Sequence, residues 1–164
     1  MGDAGRHRHP GPRPSRRRAA KKGGPDAQAL GRSRGGFGTK LHVCVDALGL
    51  PVRLILGPGQ QHDITAARRL IEGLAAENVI ADKAYDGDAI YQQIIDQGGA
   101  PVIPPRRHRK RQHGYDKALY KERNHIERFF SRIKHCRRIA TRYDKLAETF
   151  MGFVILASIM LWLK

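Results

Sequence analysis

The chain has 164 residues, 40% of them hydrophobic and 28% charged, enough for one soluble globular domain with its own core and too few to argue for two. Its 31 Lys and Arg against 15 Asp and Glu leave a formal charge of +16, which favours a polyanionic partner over an acidic surface's cationic one. Cys44 and Cys136 have no CxxC spacing, which argues against a zinc site or a disulfide framework, and the apolar run over residues 150–163, about 14 long, falls short of the roughly 20 that cross a bilayer.

Residues 1–35 are punctuated by Pro10, Pro12, Pro14, Gly23, Gly24 and Pro25 and carry the cations Arg6, Arg8, Arg13, Arg16, Arg17, Arg18, Lys21 and Lys22. With no apolar period, they read as a disordered basic N-terminal segment. No apolar stretch follows the early cations, so the start is not a secretory signal, and a reducing cytoplasm is the expected location. From Phe37 the pattern changes: Leu41, Val43 and Val45 alternate with His42, Cys44 and Asp46, the period of a half-buried strand. Ala47-Leu48-Gly49 supplies a turn and residues 52–56 a second strand, predicting an antiparallel hairpin over 38–57.

Asp63 or Thr65 can cap a helix whose apolar positions are Ala67, Leu70, Ile71 and Leu74. Residues 78–81, Asn-Val-Ile-Ala, form a short buried strand that ends at Asp82. A helix over 87–97 stops at Gly98-Gly99, residues 101–103 give another strand, and two helices follow, a long one over 117–143 and an apolar one over 147–163. Strands alternating with helices predict an α/β domain over residues 36–164.

The second set of cations, over residues 106–145, lies inside this folded part and surrounds the most specific spacing in the chain. Tyr120, Arg123, Glu127 and Lys134 fall within one stripe of a helix at about 100° per residue. Ile126, Phe129, Phe130 and Ile133 cluster on a neighbouring face that should dock on the core. Arg128, Arg132 and His135 flank the stripe on its other side, so Glu127 is a carboxylate among cations. Arg123 and Glu127 at i, i+4 would also make an ordinary surface ion pair. The density of cations argues instead for a place where phosphates and metal ions meet. Asp82, at the carboxyl end of an apolar strand, occupies the position where α/β sheets present ligand-facing groups, although an Asp there can also simply open a turn. Two-metal phosphoryl chemistry needs such carboxylates to hold Mg2+ ions.

The tetrad Tyr120-x2-Arg123-x3-Glu127-x6-Lys134 resembles the signature around the catalytic Glu in a group of bacterial insertion-sequence DDE transposases. GRSRGGFGTKLHVCVDALG, GPGQQHD, IADKAYD, VIPPRRHRK and RRIATRYDK resemble the same group, in the same order, over residues 20–164. The resemblance implies a ribonuclease H-like mixed sheet flanked by helices, and DNA transposition by cleavage and strand transfer. Asp82 and Glu127 are then the second and third catalytic, metal-holding acids of a two-Mg2+ site. Tyr120, Arg123 and Lys134 are expected to contact DNA, with Arg128 and Arg132 beside them. The implied partners are element ends and target DNA, a second copy of the chain when active, and no membrane.

The first Asp of that family ends an apolar strand upstream of the region around Lys21-Lys22-Gly23-Gly24, and no such strand is legible here. Asp3 follows only two residues, Asp26 follows Lys-Lys-Gly-Gly-Pro, and Asp46 opens the hairpin turn. The expectation is therefore a sheet lacking its first strand, and a chain that needs an upstream-frame product to cleave DNA. Residues 1–20 would then be an out-of-frame reading of the lost segment. His62 and Asp63 are lesser candidates for the same site, a cap being the equal alternative for Asp63. Two other classes of function remain open at this level, a non-catalytic DNA-binding remnant and a structural basic nucleic-acid-binding protein.

Overall fold

The structure, a computed structural model, describes residues 2–10 as backbone and residues 27–33, 36–110 and 112–163 in full. In chain order the elements are β1 (Gly2–Pro10), β2 (Gly31–Ser33), β3 (Gly36–Val45), β4 (Pro51–Pro58), α1 (Asp63–Ile71), β5 (Asn78–Ala81), α2 (Asp88–Asp96), β6 (Ala100–Val102), α3 (Lys117–Tyr120), α4 (Asn124–Lys134), α5 (Arg137–Ala140) and α6 (Ala147–Trp162), with 3-10 turns at Lys83–Tyr85 and Lys121–Arg123. Strand order in the sheet is β2-β3-β1-β5-β6, with β4 paired to β3. Parallel and antiparallel pairs mix, and helices follow the strands, as an α/β architecture requires.

Two of the described strands lie within residues 1–35: β1 occupies an inner position, parallel to β5 with Gly2, Asp3 and Ala4 opposite Val79, Ile80 and Ala81. β2 pairs antiparallel with β3, Gly31 opposite Gly38. A strand between two neighbours has its N–H and C=O groups satisfied from both sides, so pairing can hold a segment whose residues show no alternation. The remaining cations of that segment, Arg13 to Lys22, lie outside the described residues.

The chain divides into two compact units. One comprises residues 1–5, 43–54 and 62–129. Within it β5 is short and apolar because it is paired on both edges, with parallel β6 on one side, Val79, Ile80 and Ala81 all being buried. The hairpin turn forms as expected: Asp46 Oδ1 accepts from the N–H groups of Leu48 and Leu50, both at 2.9 Å, and Gly49 supplies the positive φ of 79°. α1 buries Ala66, Ala67, Leu70 and Ile71. Its N-cap is His62, without a side-chain bond, so the expected cap at Asp63 or Thr65 is not made; Asp63 is the buried first helical residue. α2 buries Ile90 and Ile94 and ends at Gly98, whose φ of +80° lets the N–H groups of Gly98 and Gly99 close back on Ile95 and Ile94.

The other unit comprises residues 6–42, 55–61 and 130–164. Its interior is organised by Arg142, which is 1% exposed. The guanidinium donates to Thr39 Oγ1, to the Ala29 carbonyl at 3.4 Å, to the Asp144 carbonyl at 2.9 Å and to the Lys145 carbonyl at 3.2 Å, and lies 5.3 Å from the centre of the Phe150 ring. Burial lowers its pKa to about 10 against the pull of Asp144, yet every bond it makes needs a donor. α6 buries Phe150, Val154, Ala157 and Ser158 and exposes Ile155, Leu156, Ile159, Met160 and Trp162. Among the described residues no helix is long and apolar enough to cross a membrane.

The expected long helix over 117–143 is instead α3, a 3-10 turn, α4 and α5. No Gly or Pro interrupts that span, so nothing in the sequence announces the breaks. The apolar face is as expected, Ile126, Phe129, Phe130 and Ile133 being at most 6% exposed.

Candidate active site

Asp82 is the first residue beyond β5 and the N-cap of the 3-10 turn Lys83–Tyr85, its Oδ1 accepting from the Ala84 N–H at 3.1 Å. That one bond fixes the carboxylate at the carboxyl edge of the sheet. Asp82 therefore opens a turn, directly after the carboxyl end of a parallel strand.

The second acid arrives on another element. Asp116 caps α3 by accepting from Ala118 and Leu119, at 2.8 and 3.0 Å, and the following 3-10 turn packs against β5. This brings Arg123 to the Asp82 edge. Its guanidinium pairs with Glu127 across one helical turn and lies 5.8 Å from the Tyr120 ring centre, which in turn meets Tyr115 edge-on at 5.4 Å. Burial works against the charge on Arg123, but Tyr120, Glu127 and Asp82 together raise its pKa above the ordinary arginine range. Arg123 thus feels both carboxylates at once. An exposed i, i+4 pair alone would leave Asp82 out.

Of the expected site residues, Tyr120, Arg123 and Glu127 are in contact, and Asp82 lies in the same unit. Arg128 is exposed on α4 beside Glu127. Arg132 and Lys134 are exposed further along the same helix, in its part that belongs to the other unit. His62 is exposed at the start of α1. Among the described residues no three His, Cys, Asp or Glu side chains gather as a metal cluster. The donors at this edge are two carboxylates, hard oxygen ligands of the kind divalent cations of the Mg2+ type require.

A second constellation borders the Asp82 turn, and sequence reasoning missed it. Asp86, its side chain 1% exposed, accepts from the Arg106 N–H at 2.8 Å and from Arg109 Nη1 at 2.5 Å, with His113 Nε2 at 3.7 Å. Arg109 also pairs with Asp88. Tyr91 donates to the Ile103 carbonyl at 2.8 Å and shares a hydrogen bond with His113 Nε2 at 2.7 Å, and its pKa is pushed up to about 12, by burial first and then by Asp86 and Asp88 against Arg109. The polar run after Asp82 and the cations after residue 105 were each visible in sequence, but their partnership spans some twenty residues and has no local signal.

The mixed sheet thus ends one strand in an acid, Asp82, and the turn packed against that strand carries an arginine paired with a second acid on a helix. Residues 3–162 match the family described as transposase DDE domain. The chain belongs to that family. It is 44% identical over 128 residues to a protein of Brucella ovis named as a transposase for insertion sequence element IS6501, covering 77% of this chain and 98% of that one. It is also 30% identical over 152 residues to a protein of Burkholderia cepacia named as a transposase for insertion sequence element IS402, covering 85% of this chain and 68% of that one. No solved structure gives a significant match.

Proposed function

We propose that this chain is a DNA-cleaving and strand-transferring transposase of an insertion sequence, acting with divalent metal through Asp82 and Glu127. The observation that carries the reading is the packing of the Lys121–Arg123 turn against β5, the strand that ends at Asp82, with Arg123 paired to Glu127 one helical turn on. In this reading Asp82 and Glu127 hold Mg2+ ions, which when bound would assist both the attacking and the leaving oxygen of a phosphodiester. Ala84 N–H keeps the Asp82 carboxylate oriented. Arg123 screens the two negative charges from one another, and with Tyr120 and Lys134 it grips phosphates near the cleaved strand; Arg128 and Arg132 extend that grip by charge-assisted bonds.

The first acid of the reading is Asp3. Its support is register: Asp3 stands opposite Ile80 on the strand parallel to β5, two residues short of Asp82, and the family match begins at residue 3. An upstream-frame product is the other source from which that acid would come.

The test is Mg2+-dependent cleavage of a duplex carrying the ends of the element that encodes the chain. Glu127→Gln and Asp82→Asn should each lower the rate roughly 1,000-fold, the loss of several kcal/mol of charge stabilisation, while still binding the duplex. Asp3→Asn should do the same. Cleavage unaffected by either of the first two substitutions would reject the reading, and cleavage lost in those two but kept in Asp3→Asn would move the first acid to another chain.

A further inference from the structure

The loop that follows β6 is tied down in an unusual way. Arg106, though exposed, is fully engaged: its backbone N–H and the Arg109 guanidinium hold opposite oxygens of Asp86, while its own side chain donates to the Lys83 and Ala84 carbonyls at 3.2 and 2.7 Å. Those carbonyls belong to the turn that Asp82 caps. Gln112 then crosses the loop, donating to the carbonyls of Arg106 and Arg109 at 3.1 and 3.0 Å. One buried carboxylate, Asp86, is the common acceptor. Burying it is unfavourable unless it is fully bonded, and here the bonds all come from the loop.

Arg106 and Arg109 are committed to these bonds, whereas Arg107, His108 and Lys110 are exposed and among the described residues have no acidic partner. Cations held together on a fixed loop repel one another and forgo the side-chain freedom of an ordinary solvated surface. Both effects are reversed by an anion, and a fixed loop binds one with less ordering to do. The anchoring to Lys83 and Ala84 decides which anion, because it suspends the cations from the same turn as Asp82.

We propose that Arg107 and Lys110 bind backbone phosphates of the DNA whose strand reaches Asp82, and that Asp86 is a positioning residue for them rather than a metal ligand. The proposal rests on the transposase reading and adds to it a second phosphate-binding element and its anchor.

The experiment is binding of the full chain to a fluorescein-labelled random-sequence duplex in EDTA, over a range of KCl concentrations. Arg107→Ala/Lys110→Ala, two exposed substitutions, should weaken binding roughly tenfold and reduce the slope of log affinity against log salt by about 2, near 0.9 for each phosphate no longer neutralised. Arg107→Lys should restore most of the slope contributed by residue 107. Asp86→Asn should weaken binding and speed tryptic cleavage after Arg107 and Lys110. Combined with Arg107→Ala/Lys110→Ala it should add nothing to the binding defect, because both changes act through one loop. An unchanged salt slope in Arg107→Ala/Lys110→Ala, with the parent chain binding normally, overturns this inference alone. An Asp86→Asn defect that adds fully to the other overturns the positioning role. A parent chain that binds no duplex overturns the transposase reading, and this inference with it.

Discussion

Tyr91 shows how far a single side chain's chemistry depends on its neighbours. Its hydroxyl is caught between the Ile103 carbonyl and His113, with Asp86 nearby, and its pKa of about 12 lies above the ordinary value of 10. The folded chain therefore keeps a proton that the unfolded chain releases. The stability this contributes is complete below pH 10 and is lost as pH rises through 12. Ultraviolet titration should show a phenolate midpoint near 12 that is lost in Tyr91→Phe and shifts downward in Asp86→Asn. Arg142 makes the opposite case, a cation kept in the interior because the Thr39 hydroxyl and the carbonyls of Ala29, Asp144 and Lys145 surround it. Arg142→Ala leaves those acceptors short of a donor and should lower the urea-measured stability by about 3 kcal/mol. A loss under about 1 kcal/mol would mean that water replaces the guanidinium without penalty.

Among the elements, the helical part of the site is informative because it is not one helix. The 3-10 turn at Lys121–Arg123 packs against β5, the strand that Asp82 follows, after which α4 carries Glu127, paired with Arg123. A straight helix through the same residues would preserve the stripe but need not bring it to the strand end. Spacing alone placed Tyr120, Arg123 and Glu127 together correctly, since i+3 and i+4 neighbours meet in either helix type to a first approximation. In the other unit, the chain at Gly59 passes so close to its neighbours that an added Cβ would stand 2.9 Å from the Gly31 carbonyl oxygen and 3.0 Å from that of Gly38. Both oxygens are backbone and cannot rotate away. Gly59→Ala should therefore destabilise by roughly 1–3 kcal/mol in thermal or urea unfolding, whereas the same change at Gly152, which has open space, should not.

At the scale of the whole molecule, composition, hydrophobic period and motif order were enough to identify an α/β domain of transposase type and to single out Asp82 and Glu127, because these signals are local or additive: a strand's apolar run, a helix's stripe, a summed charge. β5, α2, β6, α6 and the hairpin all lie within a few residues of where the pattern puts them. What the pattern could not give was β1, whose residues have no alternation and whose place beside β5 depends on hydrogen bonds from partners distant in the chain. It could not give the breaks in the helix after residue 117, which no Gly or Pro marks. Nor could it give the closure of Asp86 on Arg106 and Arg109, or the packing of the Lys121–Arg123 turn against β5. The sequence by itself determined which residue types are available for phosphate and metal chemistry. Tertiary structure alone decided which of them share an edge, because backbone pairing and buried charge are satisfied only by groups that folding brings from far apart.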